Sequence, residues 1–322
     1  MASDVPPFAG DWPQGPGTRR PASLGDVRVA GFLGERVEAN RASLLAGLDS
    51  PIPRRFQALS RGDTPGPETE RLASDSDLYK WIEGASYALA YRPDGRLRAA
   101  LDEMVTLVIG QQQPDGYLNT QVPPFERLDT RVNHDLYQAG HLCEAAVAHW
   151  RATGERRLLE AASRLVDWFL ARHREGHSYY DAVGEKEHPE VEIGLLRLAR
   201  ATGRQEYAEF ARAIIGMYGV VPKVADLRAG AGRLHAVRVG YLLEAVADLY
   251  LASGDASLWQ TLSAVWDELA TTRLYVTGGL GQRERIPDRP WDLPQTYEEN
   301  PDRDIAETCA SVAMMMFSWR MH

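Results

Sequence analysis

Residues 134–173 read HDLYQAGHLCEAAVAHWRATGERRLLEAASRLVDWFLARH, and their pattern is the strongest indication of the fold class. Apolar residues recur at helical spacing on both sides of the short polar turn ATGE at 152–155, which predicts two helices with a tight connection. Gly154 can adopt the left-handed conformation that ends a helix, so the second helix returns antiparallel to the first. The stretch therefore predicts a helical hairpin.

The same hairpin recurs along the chain. ATGR at 201–204 and ASGD at 252–255 follow ATGE at intervals of about 50 residues, and each lies between two apolar-striped segments. About ten such segments are present, and alternating strand patterns are nearly absent. Stacked hairpins form an open solenoid or a closed (α/α)6 toroid, whose longer connections gather at one end, where a site would be built. We expect an all-α, (α/α)6 toroid-like barrel, incomplete because ten helices are too few for twelve.

Composition excludes several classes of protein. The net charge of −9 argues against a nucleic-acid partner, because phosphate binding needs clustered Lys and Arg. Two cysteines cannot form a disulfide framework in a chain of 322 residues. No apolar run approaches the roughly 18 residues of a membrane span, and the N-terminus lacks the basic and apolar regions of a signal peptide. We therefore expect a cytoplasmic protein without a membrane partner.

Two regions of different character divide the chain. Residues 1–25 are rich in Pro and Gly and predict an extended arm, whereas residues 26–322 carry the helical pattern of the barrel. The last helical segment has an apolar stripe but no following helix to cover it, which indicates a barrel truncated at its C-terminus or a homodimer that covers the stripe. The stripe consists of Ala310, Ala313, Met314, Phe317 and Met321.

Three histidines occupy equivalent places in successive repeats. His134, His188 and His235 each follow a long connection and open the first helix of a hairpin, so in a toroid they would face the same mouth. Imidazoles hydrogen-bond hydroxyl groups and are common metal ligands. His141 lies two turns beyond His134 and is either a core histidine or a site residue. The alternative interpretation is a helical scaffold protein that has no active site.

Two further features could carry chemistry. Trp81 lies on an apolar helix face, where it either packs in the core or stacks on a sugar. Glu307 and Cys309 are two residues apart at the start of the last helix, and both could reach one zinc ion. A carboxylate and a thiolate are, however, only half of a tetrahedral site.

Together these segments resemble glycoside hydrolase family 127, whose members are β-L-arabinofuranosidases with an (α/α)6 barrel. The resemblance runs from about residue 30 to the end of the chain, and the order of the motifs makes it more specific than any single motif. The motifs are LYKWIEGASYAL, DGYLNT, HDLYQAGHLCEAAVAHWRATG, HPEVEIGLLRLARATG, HAVRVGYL, YVTGGLG and AETCAS.

The resemblance implies a retaining hydrolase that removes terminal β-L-arabinofuranosyl or similar residues. It implies a cysteine thiolate nucleophile on a zinc ion held by one Glu and three Cys, with a separate Glu as general acid/base. Glu307 and Cys309 match the first two zinc ligands of this family. The residues that match its sugar pocket, and that would contact the carbohydrate substrate, are His134, His188, His235 and Trp81.

Two departures from the family pattern limit these implications. The adjacent cysteine pair that supplies the remaining ligands and the nucleophile is absent from this chain, which stops at His322. The loop before the Glu-x-Cys motif lacks the family's acid/base element, and Glu284 is the candidate for that role, with Asp288 nearby. Two alternatives therefore stay open: a catalytically silent carbohydrate-binding or scaffold protein, and a sugar enzyme of this fold that uses histidines and carboxylates without metal.

Overall fold

The computed structural model describes residues 22–49, 51–66, 74–121, 127, 134–177, 179, 188–217, 236–275, 278–283, 304–305 and 307–322. Within these ranges the chain forms eleven α-helices and one pair of two-residue strands. The helices are α1 (Gly31–Ala46), α2 (Pro51–Ser60), α3 (Ser74–Tyr91), α4 (Gly95–Gly110), α5 (Asp135–Thr153), α6 (Arg157–Arg174), α7 (Val191–Thr202), α8 (Gln205–Met217), α9 (Ala236–Ser253), α10 (Ala256–Glu268) and α11 (Thr308–Met321). The strands β1 (Gln282–Arg283) and β2 (Asp304–Ile305) pair antiparallel.

All ten predicted helical segments form helices, and α2 is the one that the sequence pattern missed. Its sequence, PIPRRFQALS, begins with two prolines in three residues. Proline is tolerated in the first turn of a helix because the first amide groups have no partner within the helix. Of the predicted extended arm, residues 1–21 lie outside the described residues, and Leu24–Asp26 form a short 3-10 turn.

The three repeated turns end their helices as the sequence predicts. Gly154, Gly203 and Gly254 have φ angles of 80°, 74° and 69°, in the left-handed region that favours glycine. The Gly154 amide donates to the Trp150 carbonyl oxygen at 2.7 Å, which closes the last turn of α5. The outgoing helix can then reverse direction within three residues.

The hairpins are arranged in two layers. Inner helices α3, α5, α7, α9 and α11 contact one another in that order, and α4, α6, α8 and α10 pack on their outer side. Helix α5 is buried at nearly every position between Asp135 and Trp150, as expected for a helix enclosed by other helices. The predicted all-α barrel of helical hairpins is confirmed. No helix in the described ranges has both the length and the apolarity to cross a membrane.

Glycines allow the inner helices to approach closely. A Cβ atom on Gly194 of α7 would lie 2.5 Å from the Gly140 carbonyl oxygen of α5, and one on Gly240 of α9 would lie 2.5 Å from the Ala313 Cβ of α11. These distances are shorter than atoms can approach without a shift of the backbone. The absence of a side chain at these positions therefore sets the spacing of the inner ring.

The apolar stripe of the last helix is covered within the chain, so the prediction that it lacks a partner was wrong. Ala310, Met314 and Phe317 pack in a cluster with side chains of α9 and α10, and Ala313 faces Gly240. The physical reason is that α9 presents its own apolar face to this stripe of α11. The stripe therefore gives no reason to expect a homodimer, which stays an untested prediction.

His149, on α5, gives a prediction about pH. Its imidazole is fully buried, and burial lowers its pKa to about 4, with Glu155, Arg157, Arg98 and Asp102 as the charged groups around it. Because the unfolded chain takes up this proton near pH 6.5 and the folded chain does not, stability falls as the pH decreases from 6.5 towards 4. We expect His149→Gln to remove about 2 kcal/mol of the stability difference between pH 7 and pH 5, measured by urea unfolding. An unchanged difference would contradict a neutral His149.

Candidate active site

The rings at the starts of α5 and α7 form one cluster. His134, in the left-handed conformation with φ 45°, directly precedes α5, and His188 lies just before α7. The ring centroid of Tyr137 is 6.0 Å from that of His134 and 4.9 Å from that of His188. Tyr241 of α9 lies 5.1 Å from His188 on the other side. The two described histidines of the predicted mouth therefore converge around Tyr137.

A positive charge lies beside this ring cluster. The Lys80 ammonium group is 5.0 Å from the centroid of the Tyr137 ring, within the range of a cation–π contact. Lys80 also donates to Ser76 Oγ at 3.2 Å and lies 3.5 Å from Asp77. The cluster thus combines apolar ring faces, imidazoles and a cation, a mixture that suits a sugar with an apolar face and a rim of hydroxyls.

Below the rings, a buried guanidinium joins four inner helices. Arg197 of α7 lies 3.2 Å from Glu83 of α3, 2.5 Å from Glu144 of α5 and 3.7 Å from Glu244 of α9. Burial, and then the neighbouring Glu144, raises the pKa of Glu83 to about 7. Burial raises the pKa of Glu244 to about 8. Three carboxyl groups surround the Arg197 guanidinium. The raised pKa values of Glu83 and Glu244 favour protonation of these two groups near neutral pH.

A second guanidinium extends this network to the last inner helix. Arg320 of α11 lies 2.6 Å from Glu244 and makes two hydrogen bonds to Asp248, at 2.9 and 3.0 Å. Burial alone would raise the pKa of Asp248, but Arg320, Arg200 and Arg197 together outweigh burial, and the pKa is lowered. Helix α11 is therefore fixed to α9 by ion pairs as well as by apolar packing.

Between the rings and Arg197 lies a third group, made of His141, Glu144 and Glu190. His141 Nδ1 is 3.1 Å from Glu190 Oε1 and 3.9 Å from Glu144 Oε2. Burial lowers the pKa of His141 well below its ordinary value, so the imidazole is neutral near pH 7. Burial, and then Glu144, raises the pKa of Glu190 well above its ordinary value.

The structure places the predicted zinc ligands next to each other. Glu307 directly precedes α11, and Cys309 Sγ in its first turn lies 3.8 Å from Glu307 Oε2. Partial burial, and then the Glu307 carboxylate, raises the pKa of the Cys309 thiol. Two ligands of one tetrahedral zinc lie about 3.5 Å apart, so this pair fits two of its four positions. Within the described residues, neither side chain belongs to a group of three or more such ligands.

Trp81 is the remaining predicted pocket residue that the structure describes, and it lies apart from the ring cluster. Trp81 lies at the interface of α3 and α1, where its indole N–H donates to the Leu44 carbonyl oxygen at 2.8 Å. No ring contact in the described part of the chain connects Trp81 to the histidines, and its role in a pocket stays a prediction. His235 and Glu284 lie outside the described residues.

The turn DGYLNT at 115–120 is held by hydrogen bonds to the first residue of α5. Asp135 Oδ1 accepts from the Tyr117 hydroxyl at 2.8 Å and from Asn119 Nδ2 at 2.6 Å. Both side chains are buried. These polar groups hold the turn against the start of α5, so the structure gives them a structural role.

Sequence reasoning missed the charged interior and the tyrosines of the site. A signal was present, because Glu144, Arg197 and Glu244 each interrupt a short apolar run within an inner helix, nine or ten residues after one of the three predicted site histidines. A charged residue at a buried helical position needs a partner of opposite charge. Without the barrel, however, nothing in the sequence identifies which partner each one meets.

The sequence and the fold can now be compared with known proteins. Residues 26–322 match the model of the beta-L-arabinofuranosidase GH127 catalytic domain. The chain belongs to glycoside hydrolase family 127. This confirms the resemblance found in the sequence motifs, and the match includes the inner helices and the Glu307–Cys309 pair.

Two relatives show how much of a family 127 protein this chain represents. A non-reducing end beta-L-arabinofuranosidase from Bifidobacterium longum subsp. longum is 34% identical over 290 residues, which cover 77% of this chain and 42% of the relative. A GH127 beta-L-arabinofuranosidase structure from Geobacillus stearothermophilus T6 superposes with a TM-score of 0.74 at 27% identity, covering 92% of this chain and 52% of that one. The chain thus spans about half the length of these relatives or less.

The barrel fold itself extends beyond family 127. A D-mannose isomerase superposes with a TM-score of 0.56 at 14% identity, over 88% of this chain and 86% of the isomerase. At this identity the similarity concerns the fold alone. The chemistry of this family 127 chain has to be argued from its own residues.

Proposed function

We propose that this chain forms the carbohydrate-binding barrel of a retaining glycoside hydrolase that removes terminal β-L-arabinofuranosyl residues. In this proposal residues 26–322 are one catalytic barrel, and His134, His188, His235 and Trp81 line the sugar pocket. The observation that carries the proposal is the convergence of His134 and His188 around Tyr137 in a chain of family 127. Neutral imidazoles and a tyrosine hydroxyl can donate to and accept from the hydroxyl groups of one sugar.

The sugar pocket of the barrel is tested with p-nitrophenyl β-L-arabinofuranoside as a ligand. We expect the chain to bind this glycoside, and His188→Ala to weaken binding at least about tenfold, because a hydrogen bond to bound sugar is lost. The matched control is His177→Ala. His177 follows α6 and contacts Tyr179 rather than the ring cluster. Equal losses in both variants would contradict the proposed pocket.

Zinc is part of the proposal, and two of its ligands are present. Glu307 and Cys309 would hold the ion, which would keep the Cys309 sulfur deprotonated at neutral pH. Cys143 is fully buried between helices and Cys309 is exposed, so an alkylating reagent reports on Cys309 alone in the folded chain. The arrangement therefore offers a direct test of zinc binding that does not depend on activity.

We expect iodoacetamide to label one cysteine per folded chain and both after unfolding. Saturating zinc should slow the labelling of Cys309 at least about tenfold, and Glu307→Gln should remove most of this protection, because a ligand is lost. Mass spectrometry of labelled peptides measures both rates. The same labelling rate with zinc and with chelator would show that Cys309 binds no metal.

A second candidate function is a carbohydrate-binding protein without catalysis. It is favoured by the same ring cluster, which could bind a sugar whether or not the chain hydrolyses it. Saturation-transfer NMR with L-arabinose separates the candidates. Binding that His188→Ala removes, without hydrolysis of the aryl glycoside, would support the binding protein, whereas an absence of binding would contradict both functions.

A further inference from the structure

The group of His141, Glu144 and Glu190 has the composition of a metal site and is separate from the Glu307–Cys309 pair. His141 and Glu144 are three residues apart on α5 and face the same side, and Glu190 reaches them from the start of α7. Their nearest ligand atoms all lie within 4.8 Å of one another, and each residue is at most 4% exposed. One His and two carboxylates are a ligand set for a divalent transition metal such as zinc.

The polar atoms of this group are poorly satisfied by the protein. Neither ring nitrogen of His141 makes a hydrogen bond, and neither carboxylate oxygen of Glu190 accepts one. Each buried polar atom without a partner costs about 1–3 kcal/mol. An ion placed between His141 Nδ1 and Glu190 Oε1, which are 3.1 Å apart, would satisfy two of these atoms at once.

Two carboxylate oxygens of this group face His141. Arg197 lies against Glu144 Oε1, which leaves Glu144 Oε2 directed at His141. Lys80 interacts with Ser76 and Asp77 rather than with Glu190 at hydrogen-bonding distance. Glu144 Oε2 and Glu190 Oε1 thus face a neutral imidazole, and two carboxyl groups that release their protons on metal binding can balance the charge of a divalent cation.

A second group of similar composition is less suitable. Asp102, His149 and Glu155 also bring their ligand atoms together. However, Arg98 makes two hydrogen bonds to Asp102, both at 2.9 Å, and also bonds to Glu155. The guanidinium already occupies the position of a metal cation there, so this second group is an ion-pair network.

We propose that His141 Nδ1, Glu144 Oε2 and Glu190 Oε1 bind one zinc ion inside the barrel, beneath the ring cluster of His134 and His188. Arg197 then supports the site by holding the second oxygen of Glu144, as outer groups commonly do around metal ligands. The separation of 3.9 Å between His141 Nδ1 and Glu144 Oε2 requires only a small rotation of that carboxylate to match tetrahedral coordination. The alternative occupant is a proton shared by the two carboxyl groups.

The test uses the whole chain with Cys309→Ala, which removes the thiolate ligand of the other pair. We expect this variant, stripped with chelator and dialysed against zinc chloride, to retain about one zinc per chain by mass spectrometry, and Glu190→Gln in that background to weaken binding at least about tenfold. Glu209→Gln, on an exposed position of α8, is the matched control and should retain the ion. No retained zinc, or retention unchanged by Glu190→Gln, overturns the proposal.

The visible spectrum of bound cobalt gives a second readout, which reports the ligands of the ion directly and does not depend on substituting His141, Glu144 or Glu190. In the Cys309→Ala chain, cobalt at the proposed site should show the visible bands of a four-coordinate ion without a thiolate charge-transfer band, because its ligands are nitrogen and oxygen. Circular dichroism of each variant establishes that it is folded before the metal is measured. A spectrum of free aqueous cobalt would mean that a proton, and not a metal, occupies the group.

Discussion

Arg197→Met is expected to lower the free energy of unfolding by about 3–5 kcal/mol, because it removes one of the two cations of a buried network and leaves Glu83 and Glu144 without a cationic partner. Glu83, Glu144 and Glu244 belong to three different inner helices, and Arg197 of α7 is the cation common to all of them. Methionine keeps much of the side-chain volume, so the loss reports on charge rather than on a cavity. Chemical denaturation at pH 7 measures the effect.

The control for Arg197 is Arg61→Met. Arg61 pairs with Asp63, and both side chains are more than half exposed, so this change should alter stability by no more than about 0.5 kcal/mol. Adding Glu144→Gln to Arg197→Met should recover part of the loss, because one unpaired carboxylate is neutralised. A loss below about 1 kcal/mol for Arg197→Met would mean that the network is not needed for stability.

Gly194→Ala is expected to destabilise the barrel by about 3 kcal/mol, because the new methyl group has no space. Its Cβ would lie 2.5 Å from the Gly140 carbonyl oxygen and 2.8 Å from the Gly140 Cα, and backbone atoms within a helix cannot move aside separately. Helices α5 and α7 would have to separate. His188 would then move away from Tyr137, and sugar binding should weaken together with stability.

Gly216→Ala provides the matched control for this overpacking. Gly216 lies in α8, an outer helix, and a Cβ there meets no atom within 4 Å. Alanine should stabilise α8 by up to about 1 kcal/mol through its higher helix propensity. Thermal unfolding of both variants gives the comparison, and equal behaviour of the two would contradict a close contact between α5 and α7.

The sequence predicted much of the fold because local signals were strong. The left-handed glycines at 154, 203 and 254, followed by polar residues, indicated where helices end, and the apolar periodicity between them indicated the helices. The exception was α2, whose prolines obscured a helix that the rest of the chain stabilises. The last helix was predicted, but its covered face was not, because packing against α9 is a contact between segments far apart in sequence.

The candidate site also has features that the sequence predicted and features that it did not. Glu307 and Cys309 are neighbours in sequence, so their proximity follows from one helical turn, and the equivalent positions of His134 and His188 follow from the repeat. The role of Tyr137 between those histidines, and the group of His141, Glu144 and Glu190, depend on how α5 crosses α7.

Residues close together in the chain were enough to predict the hairpin repeat and the position of the histidines at the helix starts, and the order of the motifs along the chain was enough to predict the family. The charged groups that meet inside the barrel could be identified only from contacts between helices, since Glu83, Glu144, Arg197 and Glu244 come from four of them. The reason is physical: a buried charge must find its partner across helices, and the distance between helices is set by glycine contacts that local pattern does not encode.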